Sequence, residues 1–240
     1  MMKLMTVLVG ILACVALVGN AQAASSFYDF ESGIDWVDSA SPTYWWEFSD
    51  VADTFNPSLQ TSGAPQGNNW LRIQATDGDS SYYVGGVGHY QQLDWSAYSG
   101  LHVWINGDAT WGTINFELYE DDNGNWSHEM ASDDIWQAGG YDSGNWIPIN
   151  WTGWKEVVIP FSSFSDKNPG AGNDIWDPVI NPDGSGGLLQ INLTCSAPVG
   201  GNIDWGIDDI SGAGAIPEPS TLLLLGTGLT GLLTLVRRKR

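Results

Sequence analysis

The chain has 240 residues, with 28 Asp and Glu against 8 Lys and Arg, a formal charge of −20 and 14 Trp. Between residues 24 and 216 only Arg72, Lys155 and Lys167 stand against 27 acids, a formal −24 for the body. A surface so negative repels phosphate backbones and anionic lipid, which argues against nucleic acid as a partner and favours divalent cations and neutral ligands.

Met1-Met2-Lys3 opens an apolar run from Leu4 to Val18, followed by Gly19-Asn20 and the small-residue triplet Ala21-Gln22-Ala23. A short positive region, an apolar stretch and an A-x-A site predict a signal peptide over residues 1–23, cut after Ala23 by signal peptidase. Cys14 follows Ile11-Leu12-Ala13, loosely a lipoprotein processing site, but Leu12 fits that pattern poorly and the A-x-A site fits better. Only Cys195 then survives in the mature chain. No intramolecular disulfide can form, so stability falls to the core and to a possible metal.

Residues 24–213 have the size of one β-domain. Aromatic residues set among Gly, Asn, Asp and Ser suit short strands joined by tight turns. Strands are predicted over 70–75 and 81–87. Leu101, Val103 and Ile105 share one strand face with His102, Trp104 and Asn106 opposite; Ile114, Phe116 and Leu118 repeat the pattern against Asn115, Glu117 and Tyr119. Asp122-Asn123-Gly124 marks a hairpin-like turn. Further strands are predicted over 154–161, 188–195 (Leu189, Ile191 and Leu193 inward, carrying a buried Cys195) and 205–210. Residues 39–69 and 133–151 read as loop-rich, and no repeat of fixed period occurs. The fold class expected is all-β, a β-sandwich flanked by an N-terminal signal helix and a C-terminal hydrophobic helix.

Phe27-Tyr28-Asp29-Phe30-Glu31, Leu93 to Leu101 (LDWSAYSGL), Gly153 to Phe161 (GWKEVVIPF) and Ile207-Asp208-Asp209-Ile210 occur in that order along the body. Together they resemble the jelly-roll domains of family 11-type carbohydrate-binding modules and their galactose-binding-like relatives. The resemblance implies a structural Ca2+ where the first and last strands meet, which maps to Glu31, Asp208 and Asp209 with Asp29 in reserve. Calcium takes six to eight oxygens, and carboxylates from two chain ends can supply several. Asp121 to Asn125 only superficially resembles a calcium loop: with Gly124 at the sixth position of an EF-hand, Tyr119 and Met130 fall where carboxylates are needed, so a plain turn is expected.

Sugar binding needs exposed aromatic faces beside Asp, Asn or Gln. Trp104 and Tyr119, on polar strand faces, and Trp126, Trp136, Trp146 and Trp151, in loop-rich sequence, are the candidates; burial of these rings in a two-layered sandwich is the competing reading. His102 is expected to be a bystander. Catalysis lacks an ordered constellation. Glu117, Glu129 and Glu156 are available, but there is no nucleophile elbow, zinc-ligand spacing or phosphate loop, and no enzyme activity is expected.

At the C-terminal end, over 214–240, Pro217-Glu218-Pro219 precedes an apolar run from Thr221 to Val236 and a basic tail that includes Arg237 and Arg238. This order resembles the PEP-CTERM sorting signal, which implies recognition and cleavage by an exosortase. Its sixteen apolar residues reach about 24 Å as a helix, short of a hydrocarbon core of roughly 30 Å, so membrane association is expected to be transient. The basic tail stays cytoplasmic by the positive-inside bias. The expected protein is exported to the surface or matrix of a Gram-negative bacterium and binds or organises extracellular polysaccharide. The alternatives are a structural matrix or adhesion protein, and a polysaccharide hydrolase or lyase with carboxylates about 5 to 9.5 Å apart.

Overall fold

The computed structural model describes residues 26–34, 36, 45–79, 83–138 and 146–214, all within one compact unit, Ser25–Gly214. Its strands in chain order are β1 (Ser26–Tyr28), β2 (Trp45–Ser49), β3 (Thr54–Gln60), β4 (Trp70–Thr76), β5 (Gly85–Leu93), β6 (Gly100–Asp108), β7 (Thr113–Glu120), β8 (Ile135–Ala138), β9 (Ile147–Pro148), β10 (Thr152–Pro160), β11 (Ser165–Asp166), β12 (Leu188–Ser196) and β13 (Asn202–Ala213). A single 3-10 turn, Phe161–Ser163, is the one helical element among the described residues. None of their helices is long and apolar enough to cross a membrane. The two expected flanking helices lie outside the described residues.

The strands make two antiparallel sheets. The first runs β10-β6-β13-β4-β3, with β1 also pairing to β13; the second runs β11-β8-β7-β12-β5-β2, with β9 beside β7. Strand alternation supplies the core directly: Leu101, Val103 and Ile105 of β6 and Ile203, Trp205 and Ile207 of β13 meet Ile114, Phe116 and Leu118 of β7 and Ile191, Leu193 and Cys195 of β12. Each large side chain taken fully out of water contributes about 1.5–3 kcal/mol, so this interleaved layer holds the sheets together. Trp45, which stacks on His89 at 4.7 Å, joins the same core.

The stretches read as loops hold four strands. β2 and β3 lie within residues 39–69, β8 and β9 within 133–151. β3 escapes a propensity reading because it is polar and contains Pro57, which has no N–H to donate; it is an edge strand, where that loss is tolerated. The strand expected over 81–87 runs instead from Gly85 to Leu93. The turn at Asp122 is a longer excursion, 121–134, between the paired strands β7 and β8. Its start is held by the Asp121 carboxylate, which accepts from the N–H groups of Asn125 and Trp126 at 3.1 and 3.2 Å.

Candidate functional site

β7 is buried on both faces from Ile114 to Glu120. Ile114, Phe116 and Leu118 face the core, but the residues turned the other way, Asn115, Glu117 and Tyr119, are polar and buried. Tyr119 donates to Glu117 at 2.8 Å and accepts from Asn192 Nδ2 at 2.9 Å; Gln190 Nε2 in turn donates to Asn192 at 2.9 Å, and the Lys167 ammonium pairs with Glu117. Burial, and then the Glu117 charge, push the Tyr119 phenol well above its ordinary range. Asn115 Oδ1 is buried without a hydrogen-bond partner; the His128 ring meets Tyr119 edge-on at 4.5 Å, and its Nδ1 faces the Asp133 carboxylate at 3.9 Å. Trp46, paired with Gly88 on the neighbouring strands, covers that glycine: a Cβ there would come within 2.1 Å of the indole and 2.4 Å of the Asn192 amide oxygen. The outer face of the second sheet is thus a connected row of amides, a carboxylate and a phenol with an aromatic ring beside it. Such groups recognise hydroxyls in pairs, as donor and acceptor.

The six aromatic candidates do not form one platform. Tyr119 belongs to this row, whereas Trp104 is half-buried on the outer face of the other sheet, 6.4 Å edge-on to His102. Trp126 is exposed in the β7–β8 loop with a left-handed φ of 66°, and its carbonyl accepts the Tyr90 phenol. Trp136 packs towards the core against Trp176 at 5.9 Å and donates to Glu120 at 2.6 Å. Trp151 also packs on the core, donating to Ile105 O at 3.3 Å beneath the Lys155 ammonium. Trp146 is half-buried just before β9. Sequence reasoning missed Trp46, which lies in a stretch read as loop, and the perpendicular pair Trp70–Trp154, 5.4 Å apart on the first sheet. Trp70 lines a shallow depression of about 280 Å³ there with Arg72 and Asp204.

The acids assigned to the chain ends do come together. β1 pairs with β13, Tyr28 opposite Ile210, and a bulge between Asp208 and Ser211, with Asp209 at φ 44°, breaks the alternation of β13. Glu31 Oε1 accepts from the backbone N–H groups of Asn68 and Asn69 at 2.7 and 2.8 Å, which lowers its pKa. Asp208 is completely buried; desolvation raises its carboxyl to about 7, with Asp209 and Glu31 adding repulsion. Asp29, Glu31, Gln66, Gly67 and Asp209 line a hollow of about 220 Å³. A side chain at Gly67 would strike Glu31 Oε1 at 2.3 Å, so that position is kept bare against the carboxylate. Of the three acids only Asp208 is buried, Asp209 being half-buried and Glu31 exposed, and their carboxylate oxygens are not among the described groups that lie within 4.8 Å of one another. The His102 ring is held within the protein, its nitrogens facing Ser211 at 3.0 Å, Glu156 at 3.1 Å and Asp209 at 3.6 Å.

Tighter convergence of acids occurs elsewhere. Among the described residues, carboxylate oxygens lie within 4.8 Å of one another in three groups: Asp53, Asp77 and Asp79; Glu120, Asp122 and Asp134; and Asp134, Asp166 and Asp174. Burial raises Glu120 to about 9 and Asp122 to about 6. Each group joins segments distant in the chain, so the sequence alone does not assemble it.

Residues 215–240 match the family model of the PEP-CTERM protein-sorting motif, which implies export and exosortase-mediated surface sorting in bacteria. No curated protein matches the sequence. Solved structures do match the fold. The family 11 carbohydrate-binding module of the cellulosomal cellulase Lic26A-Cel5E of Clostridium thermocellum superposes with a TM-score of 0.50 at 18% identity, over 82% of this chain and 97% of that one. The solution structure of CtCBM11 does so with a TM-score of 0.51 at 19% identity, over 82% and 99%. The chain therefore carries a PEP-CTERM sorting motif behind a β-sandwich with the jelly-roll fold of family 11 carbohydrate-binding modules.

Proposed function

We propose that this is a non-catalytic carbohydrate-binding protein of the bacterial surface, which holds a neutral extracellular polysaccharide on the outer face of its second sheet. The observation that carries the reading is the hydrogen-bonded row Glu117, Tyr119, Asn192 and Gln190, flanked by Trp46 and with Asn115 Oδ1 still unpartnered. A sandwich core has no need of polar side chains on that face, and burying them costs free energy unless each finds a partner. Sugar hydroxyls supply such partners, while an aromatic ring covers the apolar face of a pyranose. Charge supports a neutral ligand, since the body carries 27 acids.

The reading includes a Ca2+ held by Glu31, Asp208 and Asp209, which would tie the first strand to the last. It also includes cleavage by signal peptidase after Ala23 and processing by exosortase at Pro217-Glu218-Pro219 in a Gram-negative host. Affinity electrophoresis of the full chain through gels containing soluble polysaccharides tests the central claim. Retardation by at least one neutral glycan is expected, lost in Trp46→Ala and Gln190→Ala and kept in Trp154→Ala, which lies on the other sheet. Absence of retardation across a panel that includes the host's own polysaccharide would leave the structural matrix protein as the better reading.

A further inference from the structure

We infer that the chain binds a second divalent cation, of the calcium type, at the end of the second sheet, centred on the buried carboxylate of Asp134. Asp134 stands immediately before β8 and is 0% exposed, and neither of its carboxylate oxygens has a hydrogen-bond partner. The N–H groups of Asn173 and Ile175 lie near enough to favour its charge without reaching bonding geometry. An unpaired carboxylate buried in this way costs several kcal/mol unless something positive faces it.

What faces it is more acid. Asp134 belongs to both convergent groups, so Glu120 and Asp122 approach from the end of β7 while Asp166 and Asp174 approach from β11 and the loop after it. Among the described residues the Lys and Arg side chains are engaged elsewhere. Of the three basic residues of the body, Arg72 is paired with Asp204, Lys167 with Glu117, and Lys155 lies over Trp151. Oxygens bound to one calcium at 2.3–2.6 Å sit at most about 5 Å from each other, and the oxygens of each group lie within 4.8 Å.

The surrounding chain keeps the centre clear. Gly172 has a left-handed φ of 56°, and a Cβ there would fall 2.4 Å from both Asp122 Oδ2 and Asp134 Oδ1. Asn173 donates to Asp122 at 2.8 Å, and the Asp134 N–H donates to the other oxygen of Asp122 at 2.7 Å, so both hold that carboxylate in place. The donor set is entirely oxygen and drawn from strand ends and the loops beside them, which suits calcium better than the rigid octahedron that magnesium demands.

Calcium titration of the purified full chain, after chelation and dialysis, tests the site independently of the one at the chain ends. Asp134→Asn is expected to bind one equivalent of Ca2+ fewer than the parent, and Asp208→Asn is the control that leaves this centre intact. Terbium replacing calcium here is expected to be excited through Trp136, whose indole N–H bonds Glu120. That emission should disappear in Asp134→Asn and persist in Asp208→Asn. In EDTA the Asp134→Asn protein should melt above the parent, because repulsion is relieved, and with millimolar calcium it should melt below. If Asp134→Asn fails to fold, the exposed Asp174→Asn should still weaken calcium binding at this centre at least tenfold. Equal calcium stoichiometry in parent and Asp134→Asn, or unchanged affinity in Asp174→Asn, would overturn the proposal.

Discussion

Tyr119 donates its phenol hydrogen to Glu117, two residues back on the same strand, at 2.8 Å. Both side chains are buried on the face of the sheet opposite the core, and the same hydroxyl accepts from Asn192. Removing the oxygen leaves a buried carboxylate oxygen and a buried amide without it, a loss of about 1–3 kcal/mol. Tyr119→Phe is therefore expected to lower the urea midpoint with an unchanged m-value, and to weaken retention on the glycan that the parent binds. Unchanged stability would mean that water replaces the hydroxyl.

Stability in chelator should fall as the pH rises. Glu120, Asp208 and Asp122, at about 9, 7 and 6, are held above the ordinary carboxyl range chiefly by burial. Each keeps a proton in the folded state that the unfolded chain releases. Its contribution is therefore complete below the unfolded value of about 4 and is lost as the pH climbs through the folded one. Glu31, Glu129 and Asp183 are shifted down by hydrogen bonds, and their contribution is lost only as the pH drops below that range. Thermal melts in EDTA should peak near pH 5 and decline towards pH 9; a rise over that interval would contradict the assignment.

Gly67→Ala tests the chain-end centre by geometry. The residue has φ of 60°, where an L side chain is disfavoured by about 1–2 kcal/mol, and the added Cβ would displace Glu31. The variant is expected to lose the share of a calcium-induced rise in Tm that the chain-end centre supplies and to keep the share from the Asp134 centre, while its Tm in EDTA drops by only a few degrees.

Cys195 is fully buried on the inner face of β12, and desolvation raises its thiol far above the ordinary range. A thiol reagent should leave the native protein unmodified and label it stoichiometrically in denaturing urea. Rapid native labelling would show that β12 opens.

The strands legible in the sequence were those whose alternation the core enforces. Leu101, Val103 and Ile105, or Ile114, Phe116 and Leu118, must all face one way, and they do. β2, β3 and β8 were not legible, because two are edge strands and the third has four residues, too short for a period to register. Glu31, Asp208 and Asp209 are grouped in the sequence only through resemblance, one acid just after β1 and two within β13. The polar row was half legible: Tyr119 stood on a polar face, but a period of two cannot tell a solvated face from one covered by neighbouring side chains. Asp122, Asp134, Asp166 and Asp174 carry no mutual spacing at all. Only the closure of the second sheet brings their loops together.

The order in which strands are threaded into the sheets has a consequence for how the chain is made. β13, the last strand, lies between β6 and β4 in the middle of the first sheet, and β12, the last but one, lies between β7 and β5 in the second. Until they are made, β1, β4 and β6 lack the neighbour that β13 supplies, and β5 and β7 lack β12. A chain stalled before Leu188 is four sheet fragments, β10-β6 and β4-β3 of one layer and β11-β8-β7 and β5-β2 of the other, unable to close either layer. Neither layer closes before Leu188–Ala213, about the last seventh of the domain, is made, and both layers then lock around two strands drawn from that same short stretch.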